Sequence, residues 1–431
     1  MTCWNREIET MPREEMTKLQ SARLREAVAR AYSVPIYRAK MEKAGIKPGD
    51  IRGVEDLHLL PFTEKTDLRD AYPFGMFAAP MEDVVRIHAS SGTTGKQTVV
   101  GYTQKDVDIW TECMARSMTQ LGVGKGDIIQ VAYGYGLFTG GLGGHYGGER
   151  IGAATIPASV GNTKRQLQIM VDFGSTALLC TPSYAMQLGD AAREAGIKDS
   201  LKLKVGLFGA EPWTDAMRVE IEKRLGLDAY DIYGLSEISG PGVSCECTAR
   251  MGLHVQEDHF YPEIVDPDTK KPVPDGVPGE LVFTCLTKDA MALMRYNTRD
   301  ICTLSRDACA CGRTTARMGK LTGRTDDMLI IRGINVFPSQ VESVLLGIAE
   351  VAPHYFIVVD RAGNLDTMEI QVEMTEEFFS DEVRVIEALE RRIAREIQST
   401  LSISAKIRMV GPGSLPRSEG KSKRVQDNRS F

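Results

Sequence analysis

The sequence predicts an α/β protein with a large N-terminal domain of doubly wound sheets, a small β-barrel-like part and a small, mobile C-terminal α+β domain. Short apolar strands alternate with helical stretches from residue 120 onward, which is typical of parallel sheets covered on both faces. Pro and Gly interrupt β-prone pieces in 263–303, and a polar turn at 323–327 precedes a smaller unit. Because 431 residues exceed one ordinary core, we place the domains at 1–325 and 326–431.

The individual elements follow from periodicity and from breakers. The first 80 residues predict helices with loops, including a helix at 21–31 that ends before Pro35. Strands are expected at 84–87, 98–102, 127–133, 153–156, 177–180, 205–208, 263–267, 279–284, 355–359 and 369–372. A glycine-dense loop is expected at 134–148, and an amphipathic helix buries Ile386, Leu389, Ile393 and Ile397. Taken alone, the polar and basic segment 411–431 is typical of a disordered tail.

Composition excludes several classes of protein. The formal net charge of −6 implies no general affinity for nucleic acid or for anionic membranes. No apolar run approaches the ~20 residues of a spanning helix, and the N-terminus lacks the pattern of a signal peptide. The nine cysteines are an odd, scattered set, which fits a reducing compartment. We therefore expect a cytoplasmic protein with neither a membrane nor a nucleic-acid partner.

The segment 90–96 reads Ser-Ser-Gly-Thr-Thr-Gly-Lys and lies between two β-like runs. Its glycines let backbone N–H groups turn toward an anion, and its hydroxyls and ammonium add donors, so it predicts a phosphate-binding loop. It is not a Walker loop, because only two residues separate Gly92 from Gly95 and β-formers follow Lys96. The alternative is an ordinary hairpin loop.

Further motifs lie at 208–212, 231–237, 296–300, 323–327 and 415–421. In this order the chain resembles the adenylate-forming superfamily of acyl-CoA synthetases, luciferases and peptide-synthetase adenylation domains, over nearly its whole length. The segments 87–96, 133–141, 258–263 and 331–340 look like those of phenylacetate–CoA ligases.

The resemblance implies an AMP-forming ligase that joins an aryl acid to coenzyme A through an acyl-adenylate. Phenylacetate is the favoured acid, and the reaction uses ATP and Mg²⁺. Attack of a carboxylate on the α-phosphate brings two anions together, which requires positive charge and a metal. Alternatives are another aryl acid of the indoleacetate or benzoate type, or transfer of the acyl group to a carrier-protein thiol. A nucleic-acid-binding zinc element and a nucleotide-binding pseudo-enzyme are disfavoured. A homodimer is a hypothesis that rests on the family's modest interfaces alone.

Site roles follow from the same resemblance. The 90–96 loop would hold the β- and γ-phosphates, with Thr94 counted among the catalytic residues. Glu237 would ligate Mg²⁺, Tyr233 would stack on adenine, and Asp300 would accept hydrogen bonds from the ribose hydroxyls. Arg324 would contact ribose or phosphate; the alternative is a linker salt bridge. The remaining nucleotide-binding residues implied are Ser90, Ser91, Gly92, Thr93, Gly95, Lys96, Ala210, Glu211, Pro212 and Gly234.

The C-terminal domain would carry the catalytic Lys421, which bridges the acyl carboxylate and the α-phosphate in the family; Lys423 is the alternative. Asp326 matches the hinge about which that domain turns between half-reactions. For the acyl group, Tyr135, Phe138 and Gly209 are the substrate residues, and the glycines of 140–144 would leave a slot for a flat ring. Ordinary core packing is the alternative for these aromatic residues.

A cluster of cysteines and one histidine stands apart from these motifs. Cys247, His254, Cys309 and Cys311 are the set that we select for a structural Zn²⁺ site, as in some members of the family. Cys245 and Cys302 are possible replacements within it. Reduced cysteines without a metal are the alternative.

Overall fold

The computed structural model describes residues 2–90, 97–325, 329–332, 334–362, 365–379, 382–416 and 424–429. The helices are α1 Arg6–Glu9, α2 Arg13–Tyr32, α3 Pro35–Lys43, α4 Lys65–Asp70, α5 Gln104–Thr119, α6 Gly140–Arg150, α7 Thr163–Phe173, α8 Pro182–Glu194, α9 Asp215–Leu225, α10 Pro338–Leu345 and α11 Val383–Leu401. Short 3₁₀ turns lie at Pro48–Asp50, Val54–Leu59, Met81–Asp83, Lys198–Ser200 and Glu376–Phe378.

The strands are β1 Val84–Ala89, β2 Val99–Thr103, β3 Ile128–Val131, β4 Ala154–Ile156, β5 Ala177–Cys180, β6 Val205–Gly209, β7 Asp228–Tyr233, β8 Ser244–Glu246, β9 Leu253–Val255, β10 Phe260–Val265, β11 Gly279–Cys285, β12 Tyr296–Cys302, β13 Leu304–Ser305, β14 Arg317–Met318, β15 Gly323–Arg324, β16 Leu329–Ile331, β17 Ile334–Val336, β18 Val351–Ala362, β19 Leu365–Met374, β20 Lys406–Val410 and β21 Val425–Asp427. Most predicted strands are confirmed with ends shifted by a few residues.

The main sheet of the N-terminal domain has nine strands in the order β13-β14-β9-β8-β7-β6-β5-β3-β4. Strands β7, β6, β5, β3 and β4 run parallel, whereas β8, β9, β13 and β14 add antiparallel pairs. Leu179 and Leu207 belong to one hydrophobic core, and their neighbours Leu178 and Phe208 belong to another. Since successive side chains of a strand point to opposite faces, both faces of this sheet are covered, as predicted.

The predicted β-barrel-like part is a four-stranded antiparallel sheet in the order β10-β11-β12-β15. It takes in the Pro- and Gly-punctuated region. Strands β10 and β11 lie close to the predicted strands 263–267 and 279–284, whereas β12 and β15 were not predicted as strands. Phe260, Leu281 and Phe283 join it to the larger core. This sheet therefore extends the N-terminal domain.

The C-terminal domain contains the sheet β20-β19-β18-β21, the hairpin β16-β17 and the helices α10 and α11, around a core of its own. Ile393 and Ile397 of α11 are fully buried in it, as the predicted amphipathic face requires. The disordered-tail interpretation is wrong for β21, which pairs in parallel with β18, Val425 opposite Ile357. The boundary at 325/326 stays a prediction, because 326–328 lie outside the described residues.

The prediction of a loop over 134–148 is wrong for its second half, which forms helix α6. Its glycines are explained by close packing against other elements. A Cβ added at Gly143 would meet Trp110 of α5 at 2.7 Å, and one at Gly147 would meet Met114 Cβ at 2.5 Å. Tertiary contact thus overrides the low helix propensity of glycine here. None of the helices in the described ranges is long and apolar enough to cross a membrane.

Candidate active site

The hairpin β1–β2 brackets the predicted phosphate loop. Ala89 pairs with Val99, Ser90 N donates to Thr98 O at 2.9 Å, and Thr98 N donates to Ser90 Oγ at 3.0 Å. The predicted residues Ser91, Gly92, Thr93, Thr94, Gly95 and Lys96 lie outside the described residues. The residues on both sides of the loop are therefore held together by the hydrogen bonds of an antiparallel pair of strands, which fixes its two ends.

Two further motifs meet at the carboxyl ends of neighbouring parallel strands, where ligands bind in open α/β sheets. Strand β6 ends at Gly209 and strand β7 at Tyr233, with Gly209 opposite Ile232. Ala210 has a φ of +72°. Glu211 Oε1 accepts a 2.8 Å hydrogen bond from Ser183 N in the first turn of α8, and Pro212 is exposed. The predicted adenine-pocket residues thus lie together on one edge of the sheet.

Tyr233, Asp300 and Arg324 form one contact network. The Tyr233 hydroxyl donates to Asp300 Oδ2 at 2.6 Å, and Arg324 Nη1 lies 3.4 Å from Asp300 Oδ1. Asp300 and Arg324 face each other across β12 and β15. Burial raises the pKa of Tyr233, so its hydroxyl remains a donor. Its ring stacks on Phe283 with the centroids 6.2 Å apart, and the stack on adenine stays a prediction.

Glu237 is, like Asp300, a buried carboxylate of the site, 5 % exposed. Lys65 Nζ in α4 lies 3.9 Å from its Oε1, a contact that no sequence motif signals. Gly234 is fixed by packing, since an added Cβ would overlap the carbonyl oxygen of Gly240. The turn between Tyr233 and Glu237 therefore tolerates no side chain at its second residue.

Arg299 directly precedes Asp300, and its φ is +66°. This left-handed conformation costs a non-glycine residue roughly 1–2 kcal/mol. Its guanidinium binds Glu64 Oε2 at 2.8 Å and lies 3.4 Å from Glu280 Oε1. These charged partners offset the backbone strain, and Asp300, the next residue, pairs with Arg324 across β12 and β15.

The predicted substrate residues Tyr135 and Phe138 are half-buried beside the phosphate hairpin. Leu137 O accepts a 3.1 Å hydrogen bond from Ala89 N and lies 2.9 Å from His88 Nδ1. Tyr135 Oη is 3.5 Å from His145 Nδ1. The segment that carries these two aromatic residues is thus tied to β1 through the carbonyl group of Leu137.

The glycines of 140–144, which we expected to leave a slot for a flat ring, are explained by packing within the protein. Added Cβ atoms would meet Phe138 at Gly140, Gly134 O at Gly141 and Leu179 at Gly144, each at 2.6–2.7 Å. The space beside these glycines is already filled by the protein. Packing of α6 therefore accounts for them, and Tyr135, Phe138 and Gly209 remain the predicted acyl-site residues.

Cys247, His254, Cys309 and Cys311 come together although they span 65 residues of sequence, and their donor atoms lie within 4.8 Å of one another. Cys247 Sγ is 3.8 Å from Cys309 Sγ, and Cys311 Sγ is 3.4 Å from His254 Nε2. In a tetrahedral zinc site, bonds of about 2.3 Å to sulfur and about 2.0 Å to nitrogen place S and S about 3.8 Å apart and S and N about 3.5 Å apart.

The surroundings of this cluster orient its histidine. His254 Nδ1 lies 2.9 Å from Thr315 Oγ1, the kind of partner that orients a metal-binding imidazole. Cys245 Sγ instead faces Ser117 O at 3.8 Å. The donor set and its spacing therefore fit Zn²⁺, with the four residues that the sequence selects.

Lys421, its alternative Lys423 and the hinge residue Asp326 lie outside the described residues. Both flanks of the Lys421 motif are tied to buried carboxylates of the C-terminal domain. Leu415 N donates to Glu373 Oε1 at 2.7 Å, and Arg424 Nη1 binds Glu342 Oε2 at 2.5 Å. The chain enters and leaves this motif at fixed points.

Comparison with known proteins agrees with this arrangement. The AMP-binding enzyme family matches residues 25–285, and the AMP-binding enzyme C-terminal domain matches 333–429. The chain belongs to the AMP-binding enzyme family.

Within that family the chain is similar to the phenylacetate-coenzyme A ligase of Thermus thermophilus, 52% identical over 98% of this chain and 99% of that one. The phenylacetate-coenzyme A ligase of Escherichia coli is 50% identical over 98% of this chain and 97% of that one.

A solved 2-hydroxyisobutyryl-CoA ligase in its postadenylation state with 2-HIB-AMP has a TM-score of 0.93 at 29% identity, covering 99% of this chain and 92% of that one. The same ligase in the thioesterification state, at the same coverage and 30% identity, has a TM-score of 0.74. The relative placement of the two domains here is therefore nearer to the postadenylation arrangement.

Proposed function

We propose that this protein joins phenylacetate to coenzyme A through a phenylacetyl-adenylate, consuming ATP and releasing AMP and pyrophosphate. The observation that carries the proposal is the identity of 49–52% to four phenylacetate-coenzyme A ligases over 98% of this chain. Other aryl acids change chiefly the pocket volume that is needed, so they are the competing substrates. A carrier-protein thiol is the competing acceptor.

The first half-reaction follows from the groups at the sheet edge. Asp300, with one oxygen held by Tyr233, accepts hydrogen bonds from the ribose, and the 90–96 loop between β1 and β2 receives the phosphates. Glu237 supplies a carboxylate oxygen, the ligand type that Mg²⁺ prefers. Mg²⁺, when bound, neutralises the charge that develops on the phosphates. Lys421 then stabilises the acyl carboxylate and the α-phosphate during attack.

The second half-reaction needs the C-terminal domain to turn, because Lys421 and the CoA-binding face cannot both lie against the same adenylate. Asp326 is the pivot that we propose. The two TM-scores against one ligase in two states support such a turn in this family. Thiolysis by CoA thus takes place without Lys421 at the reacting atoms.

Zn²⁺ is proposed as a structural ion at Cys247, His254, Cys309 and Cys311. A closed four-donor shell leaves no open position for a substrate, so the ion would join β9 to the segment before β14. We further propose a cytoplasmic protein whose partners are small molecules, and a homodimer remains a hypothesis.

The half-reactions test these roles separately. Lys421→Ala is expected to lower ATP–pyrophosphate exchange with phenylacetate by about 100-fold or more and to leave CoA thiolysis of preformed phenylacetyl-adenylate within a few-fold. Lys423→Ala is the matched control, with both half-reactions retained. Equal loss of both half-reactions in Lys421→Ala would remove this residue from its role, and loss of exchange in Lys423→Ala alone would transfer the role to Lys423.

A further inference from the structure

Lys288 is a buried lysine in the segment that follows β11, and it is 4 % exposed. Within the described part of the chain, no carboxylate lies at ion-pair distance from its ammonium. Instead, Nζ donates to the carbonyl oxygen of Glu237 at 3.2 Å and lies 4.4 Å from the centroid of the Tyr102 ring. Burying an ammonium is costly unless it is partnered, so these two contacts must hold the charge.

Tyr102 extends the same arrangement. Its hydroxyl donates to the carbonyl oxygen of Ser236 at 3.2 Å. Two consecutive carbonyl groups, those of Ser236 and Glu237, are thus each held by one donor, and the two donors contact each other through a cation–π interaction. Tyr102 lies in β2, the strand that returns from the phosphate loop. The pair therefore joins the Glu237 backbone to the phosphate hairpin.

The two donors are rigidly placed. Asp106 in the first turn of α5 accepts hydrogen bonds from Asp289 N at 2.6 Å and from Ala290 N at 2.9 Å, which fixes the backbone beside Lys288. The Tyr102 ring stacks on Trp110 at 5.4 Å between centroids. Burial lowers the pKa of Lys288, whereas the nearby Cys285, Asp106 and Glu237 oppose that shift.

We infer that Lys288 is a positioning residue, which holds Glu237 through its backbone carbonyl at a fixed place relative to the phosphate-binding hairpin. The inference rests on the proposed function, in which Glu237 ligates Mg²⁺ during adenylation. Thiolysis of the adenylate takes place after pyrophosphate has left, so it does not need this placement. Lys288 therefore acts on one half-reaction and on its Mg²⁺ requirement.

The test measures ATP–pyrophosphate exchange with phenylacetate over a titration of Mg²⁺, and CoA thiolysis of preformed phenylacetyl-adenylate. Lys288→Met keeps an unbranched side chain one atom shorter but removes the donor and the charge. We expect exchange to fall about 10-fold or more and the Mg²⁺ concentration for half-maximal exchange to rise about 5-fold or more, with thiolysis within 3-fold of wild type. Lys105→Met removes an exposed lysine that binds Asp289 Oδ1 at 3.1 Å, and it should change neither reaction.

An unchanged Mg²⁺ requirement in a folded Lys288→Met protein would overturn the inference, as would an equal loss of thiolysis. If that variant does not fold, Tyr102→Phe takes its place in the test, because it removes only the neighbouring hydrogen bond to Ser236 O. Its Mg²⁺ requirement should rise about 2-fold or more, and no change would overturn the inference. Wild-type protein without exchange for phenylacetate would instead show that the proposed function fails, and the inference with it.

Discussion

The Tyr233 hydroxyl donates a 2.6 Å hydrogen bond to Asp300 Oδ2 and thereby joins the end of β7 in the nine-stranded sheet to β12 in the four-stranded sheet. Both residues are buried, at 7 % and 2 % exposure. A charge-assisted hydrogen bond in such surroundings orients the carboxylate before a ligand arrives. Asp300 is thus held with its second oxygen toward Arg324.

Tyr233→Phe removes this hydrogen bond and keeps the ring. We expect the KM for ATP to rise about 10-fold with a smaller change in kcat, since a hydrogen bond to a charged group contributes about 1.5–3 kcal/mol. Steady-state kinetics of the coupled reaction measure the split. Asp300→Asn, which loses the charge itself, should be at least as impaired. An unaltered KM in Tyr233→Phe would show that Asp300 is oriented by other groups.

Gly234→Ala tests the tight turn between Tyr233 and Glu237. Because the new methyl group overlaps Gly240 O, the backbone must shift, and we expect adenylation to fall about 10-fold or more together with a lower Tm. Gly124→Ala is the matched control, since nothing lies within 4 Å of a Cβ there. Wild-type exchange rates in Gly234→Ala would mean that this turn does not position Glu237.

The cysteine cluster makes a prediction about metal content. Protein purified without a histidine tag should hold about one zinc per chain, and Cys311→Ser should lose most of it and lower Tm by roughly 5–10 °C. Cys245→Ser changes a buried cysteine outside the cluster and should keep the metal. Elemental analysis and thermal unfolding are the measurements. Less than a tenth of an equivalent in wild-type protein would leave three reduced cysteines and a histidine without a metal instead of a zinc site.

Stability should depend on pH through His259. Burial lowers the pKa of this imidazole, and the positive charges of Arg116 and Arg23 lower it further. The negative charges of Asp258, 3.0 Å from Nε2, and of Glu112 act in the opposite direction. The folded state therefore keeps His259 neutral, while the unfolded chain takes up a proton below about pH 6.5. The free energy of unfolding should fall by about 2 kcal/mol between pH 7 and pH 5 on account of this residue.

Urea unfolding at the two pH values measures that dependence. In His259→Gln the decrease should shrink by about the same amount, because glutamine does not titrate. His58→Gln changes an exposed histidine and serves as the control. Equal decreases in His259→Gln and wild-type protein would assign the pH dependence to other groups.

The sequence predicted many strands and one cluster of side chains correctly. The strand β5 is found within its predicted limits, and the four members of the cysteine cluster meet as selected. It did not predict helix α6, because glycine-rich segments form helices only where close neighbours such as Trp110 and Met114 require small residues.

In the candidate active site, too, some residues are indicated by sequence motifs and others are brought in only by the fold. The motifs at 208–212, 231–237 and 296–300 indicated which residues assemble, because they follow one another in the order that the resemblance to the adenylate-forming superfamily implies. Lys65, Tyr102 and Lys288 carry no motif, and only the fold brings them beside the 236–237 segment. Single polar residues that act through long-range contacts leave no periodic or spacing signal. Strand β21 was missed for a similar reason, since its partner β18 is far away in sequence.

The most direct test of the account is an assay of purified protein with ATP, Mg²⁺, CoA and a panel of about a dozen carboxylic acids, followed by mass spectrometry of AMP and acyl-CoA. We expect CoA-dependent formation of AMP and phenylacetyl-CoA, with phenylacetate giving the highest kcat/KM of the panel. Pyrophosphate exchange without any thioester would contradict CoA as the acceptor and indicate a carrier-protein thiol. Absence of turnover with every acid would contradict the assignment of a ligase.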